Sequence, residues 1–204
     1  MNKIDYKKDL KELYQAKVNK IVTLNVPKMN FIMIDGRGDP NTSQDYIDAI
    51  QTLYPVAHGI KFFCKKELGT DFGVMPLEGL WWTEDMDNFD TNDKSNWLWT
   101  AMIMQPEFVD KAIFDKIVDQ TKEKKNLAAI DKVRFEPYEE GRAAQTMYVG
   151  PYSGEGETIK SIHAFIKDQG GKLDSTNKHH HEIYLSDPRR VDVSKLKTII
   201  RQPY

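Results

Sequence analysis

With a single cysteine in 204 residues, Cys64, the chain has no internal disulfide, and a reducing compartment is expected. No base stands beside that thiol in IKFFCKKE, so Cys64 reads as a packed small hydrophobe rather than a nucleophile. Excess charge is equally lacking. The 29 basic and 31 acidic side chains leave a formal charge of -2, and no basic stripe offers a footprint for nucleic acid. No apolar run approaches the ~20 residues of a membrane span. The opening MNKIDYKKDLKELYQ has no apolar stretch of the secretory kind. A cytoplasmic protein with neither nucleic acid nor membrane as partner is the expectation, and oligomeric state stays open. Phosphate and metal motifs are absent too. GRGD at 36–39 lacks the spaced glycines and the Lys-Ser/Thr of a phosphate loop. The adjacent histidines of HHH at 179–181 alternate faces on a strand and cannot converge on one ion, so they read as a polar strand entry.

What is present suffices for a core: 40% of residues are hydrophobic. Tyr6, Leu10, Leu13 and Tyr14 repeat at helical spacing behind Asp5, which is placed to cap a short entry helix. IVTLNVP and NFIMID read as strands ending in the turn GRGDPN. Ser43 or Thr42 then caps a helix with Ile47, Ile50, Leu53 and Ala57 inward, which Pro55 should kink or split. VMPLEGLWWTE and NWLWTAMIMQ form a hairpin around the acidic loop DMDNFDTNDKS, and Pro106 opens a helix whose stripe is Val109, Ala112, Ile113 and Ile117. The second half repeats this grammar. RFEPYEEGRAAQTMYVGPYSGEG gives two extended segments, a helix with Ile159, Ile162 and Phe165 inward ends at Gly170-Gly171, and HEIYLSD is a strand. The spacing predicts an α+β fold of one domain made of two strand-strand-helix-strand units, about 20–106 and 130–190, around a pseudo-twofold axis. An N-terminal helix and a connecting helix complete it.

All four tryptophans fall between positions 81 and 99. Strand alternation puts Glu78, Leu80 and Trp82 on one face and Leu77, Gly79 and Trp81 on the other, with Trp97 and Trp99 sharing a face on the next strand. Such aromatics suit flat, apolar or cationic ligands, and Met33, Met102 and Met104 would make the walls adaptable. In HHHEIYLSDPRR, Glu182 and Tyr184 share one strand face while Ile183 and Leu185 share the other. With the aliphatic pair beneath the helices, Glu182 and Tyr184 point to the opposite, concave side. There a carboxylate among aromatics serves as a cation receptor or a general base, and His181 could tune its charge.

The segments PKMNFIMIDGRGDPN, MPLEGLWW, NWLWTAMIMQP, MYVGPYSGE, HHHEIYLSDPRR and LKTIIRQP resemble the GyrI-like small-molecule-binding family, in its stand-alone branch similar to cyclopropanoid cyclopropyl hydrolases. The resemblance covers most of the chain. It implies the duplicated architecture of SOUL-type proteins and of the effector domains of MerR-type multidrug regulators. It also implies a pocket glutamate at Glu182 facing an aromatic wall to which Tyr148 and the tryptophans of GLWW belong. Only about 20 residues precede the first strand, so direct DNA binding of the regulator kind is not expected.

Two functions fit. In the first, a hydrolase opens a strained cyclopropane on a planar substrate: Glu182 activates water, Tyr148 or Tyr184 donates a hydrogen bond, and Trp81, Trp82, Trp99, Met102, Tyr152 and Tyr184 line the ligand. In the second, the module sequesters hydrophobic or cationic drugs with Glu182 as counter-ion. Neither needs a metal or a cofactor, and no trustworthy haem motif is present.

Overall fold

The computed structural model describes residues 3–84, 94–173 and 178–204. Most of the acidic loop expected at 85–95 lies outside them. A two-residue strand β1 (Lys3–Ile4) leads into two helical turns, α1 (Tyr6–Asp9) and α2 (Lys11–Tyr14), in place of one entry helix. Asp5 makes no capping hydrogen bond through its side chain, and the turn breaks at Leu10.

Next come β2 (Val22–Val26), β3 (Met29–Arg37), α3 (Gln44–Glu67), β4 (Asp71–Phe72), β5 (Glu78–Trp82) and β6 (Leu98–Gln105). α4 (Lys111–Lys124) connects to a second run of β7 (Arg134–Tyr138), β8 (Gly141–Val149), α5 (Gly156–Asp168), β9 (His180–Tyr184) and β10 (Lys197–Pro203). Eight strands form one sheet in the order β2-β8-β10-β9-β5-β6-β3-β7, with antiparallel neighbours throughout. The sheet curls into a half-barrel. Apart from the two-residue β4, which pairs with β1, each run contributes strand, strand, helix, strand, strand, and the order reads alike from both ends once β2, β3, β5 and β6 are matched to β7, β8, β9 and β10. The first strand of each run is paired into the other half, and the sheet closes at its centre through β5 and β9.

α3 is one continuous helix through Pro55, which corrects the expected split. Proline lacks the N–H that would reach the carbonyl of Gln51, at the loss of one hydrogen bond. Burial of Leu53, Val56, Ala57, Ile60 and Cys64 on the sheet outweighs that loss. Its buried face begins at Tyr46 and Ala49, and Ile47 is 39% exposed, so the stripe is rotated from the one expected. The Ser43 hydroxyl caps it by accepting from Tyr46 N at 3.4 Å. α4 starts at Lys111 rather than at Pro106 because the Asp110 carboxylate accepts from Ile113 N at 2.9 Å.

α3 and α4 cover one face of the β5-β6-β3-β7 half. Tyr46 packs on Trp81 and Trp99, and Phe114 of α4 stacks on Phe135 of β7. α5 covers the same face of the other half, packing Ile162 and Ile166 with Ala144 and Ile200. Gly36 lies opposite Trp99 across β3 and β6, and a Cβ there would run into the indole carbons Cζ2 and Cη2. Only glycine lets the two strands hold a tryptophan flat at that point.

Candidate functional site

The register fixes which side chains meet. Glu182 stands opposite Gly79 on β5 and Ile200 on β10; His180 stands opposite Trp81, and Tyr184 opposite Thr198. Trp81 in turn faces Trp99 across β5 and β6. Since alternate residues of a strand share a face, His180, Glu182, Tyr184, Trp81, Trp99 and Thr198 all lie on the face that carries α3 and α5. The expectation that Glu182 points away from the helices is therefore reversed. Ile183 packs on the opposite face, and the carboxylate sits at the central strand pair where the territories of the two helices meet.

Glu182 is 8% exposed. Its Oε2 accepts from the Tyr184 hydroxyl at 2.7 Å, and His180 Nε2 stands 3.1 Å from Oε1. Burial alone would raise the carboxyl, but these two partners and the Lys94 charge outweigh it and hold Glu182 below its ordinary value. Lys94 Nζ lies 4.6 Å over the Trp97 ring. Burial and then the Glu182 charge raise the Tyr46 hydroxyl, which lies beside that of Tyr184, and the same causes raise Tyr184 itself. Tyr152 meets the Tyr184 ring edge-on at 5.6 Å and is pushed up to about 12 by burial and the nearby carboxyls of Glu155 and Glu182.

The second carboxyl, Glu155, sits just before α5 and is 4% exposed. Burial first, and the Glu182 charge second, push it up to about 9. The Thr198 hydroxyl lies alongside and favours the charged form of Glu155, yet its geometry falls short of a hydrogen bond. Glu155 Oε1, Thr198 Oγ1, His180 Nδ1 and Trp81 Nε1 are all buried without a hydrogen-bond partner. All four lie on or beside the strand face that carries Glu182, where they are free to hydrogen-bond a polar group.

Trp81, Trp99, Tyr184 and Tyr152 are thus gathered with Glu182. Trp82 and Met102 are not, because both project from the opposite face. Trp82 stacks on His179 at 4.2 Å, and Met102, paired with Glu78, is fully buried in the core. Tyr148 shares the Glu182 face two strands away, and its hydroxyl donates to Pro151 O at 2.9 Å. Tyr46, His180, Glu155 and Thr198 escaped sequence reasoning. Tyr46 and Glu155 lie outside strands, where alternation gives no guide, and His180 was hidden inside a run read as polar.

His181, expected beside Glu182, lies beneath it on the other face in a buried ionic cluster. Its Nε2 stands 2.9 Å from Glu78 Oε2 and its Nδ1 2.8 Å from Glu140 Oε1. Arg201 bridges Glu140 Oε2 at 2.8 Å, Gln145 Oε1 at 3.0 Å and the Leu13 carbonyl at 2.6 Å, while the Tyr14 hydroxyl donates to Glu78 at 2.8 Å. Burial opposes charge on His181, but the two glutamates win and raise it to about 9. The cations hold Glu140 at about 2 against its burial. The cluster ties the N-terminal turns to β9 and β10. A separate open groove of about 560 Å³, between α4 and β7, shares no residue with either arrangement. Among the described residues no group of three His, Cys, Asp or Glu is arranged to hold a metal ion, and no helix is long and apolar enough to cross a membrane.

Comparison with known proteins identifies the family and the fold. A sequence model described as the GyrI-like small-molecule-binding domain matches residues 20–204. The chain is similar to a solved hydrolase encoded by lin2189 from Listeria innocua, with 40% identity, a TM-score of 0.88 and coverage of 99% of both chains. A second hydrolase from Listeria innocua shows 37% identity and a TM-score of 0.83 over 98% of this chain and 99% of that one. The C-terminal domain of EcmrR shares the fold alone, with 11% identity and a TM-score of 0.54 over 90% of this chain and 96% of that one. Comparison with curated protein sequences gives no match.

Proposed function

The chain belongs to the GyrI-like small-molecule-binding family, and from that premise we propose that it is a hydrolase opening the cyclopropane of planar, DNA-alkylating compounds. The observation that carries this reading is Glu182, a carboxylate kept ionised in a nearly dry, aromatic-rich setting. Held ionised, this carboxylate stays available at neutral pH to take a proton from a water that the site positions. The likeness to two proteins described as hydrolases supports the same class.

In this reading a flat substrate stacks on the rings around Glu182, chiefly Trp81, Tyr152 and Tyr184, with Trp99 behind Trp81. Tyr148 extends the aromatic surface toward α5. Glu182 takes a proton from a water aimed at the cyclopropane methylene, and ring strain supplies much of the driving force. Tyr184 and His180 hold the carboxylate in one orientation for that transfer.

The test is incubation with a duocarmycin-type spirocyclopropyl dienone, followed by mass spectrometry. Wild-type protein should add one water catalytically, and Glu182→Gln should bind the compound but convert it about 10² to 10⁴ times more slowly. Binding without conversion by the wild type would overturn the hydrolase reading in favour of sequestration, with Glu182 as the ligand's counter-ion.

A further inference from the structure

Glu155 has no place in the mechanism above, yet it lies beside Glu182 in the same buried site. No cation forms an ion pair with it among the described residues, and one of its oxygens is buried without a partner. Two neighbouring buried carboxyls repel strongly when both are ionised, and the pair relieves this by retaining one proton. The surroundings decide where that proton rests. Glu182 receives Tyr184 and faces His180, whereas beside Glu155 lie the misaligned Thr198 hydroxyl and, less strongly, the Lys94 charge that both carboxyls share.

We infer that Glu155 and Glu182 form an acid–base pair sharing one proton, in which Glu155 is the acid that protonates the substrate oxygen as Glu182 activates water. This rests on the hydrolase reading and names its substrate class more closely: a neutral planar compound whose cyclopropane is conjugated to a carbonyl. The water oxygen bonds to the ring methylene as its proton passes to Glu182. The cyclopropane C–C bond breaks and its electron pair moves through the conjugated system onto the carbonyl oxygen, which takes the proton of Glu155. The product is a phenol with a hydroxymethyl arm, the substrate plus one water. Glu182 is left protonated and Glu155 ionised, and transfer of that proton back across the pair restores the starting state. The rest proton stays on Glu155 up to about pH 9. The groups that face the pair are His180 and Tyr184 from β9, Tyr46 from α3, Tyr152 from the turn before α5, and Lys94 before β6.

Two measurements on wild type and Glu155→Gln test this. Infrared spectroscopy at pH 7 should show the C=O stretch of a buried protonated carboxyl in the wild type. The band should vanish as pH rises through about 9 and be missing in Glu155→Gln. Turnover of the spirocyclopropyl dienone should fall at least about 10²-fold in Glu155→Gln, with affinity retained and the alkaline limb of the pH profile removed. Absence of the band, or a variant that turns over at the wild-type rate, overturns the inference. A wild type that shows the band but never converts the dienone overturns the hydrolase reading and the donation step with it, and leaves the shared proton established.

Discussion

The Tyr184 hydroxyl donates to Glu182 Oε2 at 2.7 Å, from two residues further along the same strand. Strand alternation sets both on one face, so the donor and its acceptor come from the shortest segment of sequence that can supply such a pair. Removing the donor in Tyr184→Phe takes away one of the interactions that hold the carboxyl below its ordinary value. The Glu182 pKa should then rise. A base with a higher pKa is protonated sooner as pH falls, so the acid limb of kcat/KM should move to higher pH. An unmoved limb would show that Tyr184 does not set the charge of Glu182.

Gly79 lies directly across from Glu182, with the Trp81 indole folded over it. A Cβ at position 79 would stand 2.7 Å from Trp81 Nε1. Gly79→Ala must therefore displace the ring into Tyr46 or Trp97, which stand 5.5 Å and 5.6 Å away between ring centres. Overpacking of this kind should lower stability by about 1–3 kcal/mol. Denaturant unfolding measures the loss, and tryptophan emission should shift in the folded variant.

The ionic cluster beneath β9 gives a third expectation. Arg201 is fully buried and partners Glu140, Gln145 and the Leu13 carbonyl. Arg201→Met leaves Glu140 with one cation in place of two and strands the carbonyl. A buried pair broken from one side destabilises by about 3–5 kcal/mol. Urea unfolding should show that loss, and amide exchange should quicken in residues 10–15, which the cluster ties down. A loss below about 1 kcal/mol would assign the cluster no part in holding the N-terminal turns.

The same groups fix how stability depends on pH. His181 is raised from 6.5 to about 9 in the folded protein, so its contribution is complete below pH 6.5 and disappears as pH climbs through about 9. Glu155, raised from 4.5 to about 9, binds a proton in the folded state that the unfolded chain has released over that interval, and stability again falls with rising pH. Glu140 acts oppositely: lowered from 4.5 to about 2, it stabilises above pH 4.5 and that contribution is lost as pH falls through about 2. The unfolding midpoint should decline between pH 7 and pH 10, and less steeply in Glu155→Gln. An equal slope in the two proteins would place the alkaline loss on His181 alone.

Much of this was legible in the sequence for a physical reason. Strands write their faces in a two-residue period, so the pairing of Glu182 with Tyr184, and of Trp81 with Gly79, could be read directly. Which face meets the helices could not, because the β9 segment is buried on both sides: His180 and Glu182 are nearly as enclosed as His181 and Ile183. Periodicity then carries no sign. Local polarity makes the histidine run read as a polar strand entry, whereas Glu78 and Glu140, 103 and 41 residues away, make His181 a core residue. Glu155 lay beyond such reasoning altogether, since a carboxyl ahead of a helix resembles an ordinary first-turn acid until the fold sets Glu182 against it.

The adjacent tryptophans, inseparable by composition, make the most direct test of which face binds. Trp81 shares the face of Glu182, packs on Tyr46 and carries an unpartnered indole N–H. Trp82 turns to the other side and stacks on His179 with ring centres 4.2 Å apart. A planar ligand at Glu182 should feel only the first. Trp81→Leu should weaken binding of the dienone about tenfold, equivalent to ~1.4 kcal/mol, through lost stacking and a lost donor. Trp82→Leu should leave affinity within about twofold, since it removes a contact made wholly on the far face. Calorimetric titration of both variants, with unfolding midpoints to confirm that each is folded, decides the matter. The reverse order of effects would move the ligand to the opposite side of β5 and remove Glu182 from the chemistry.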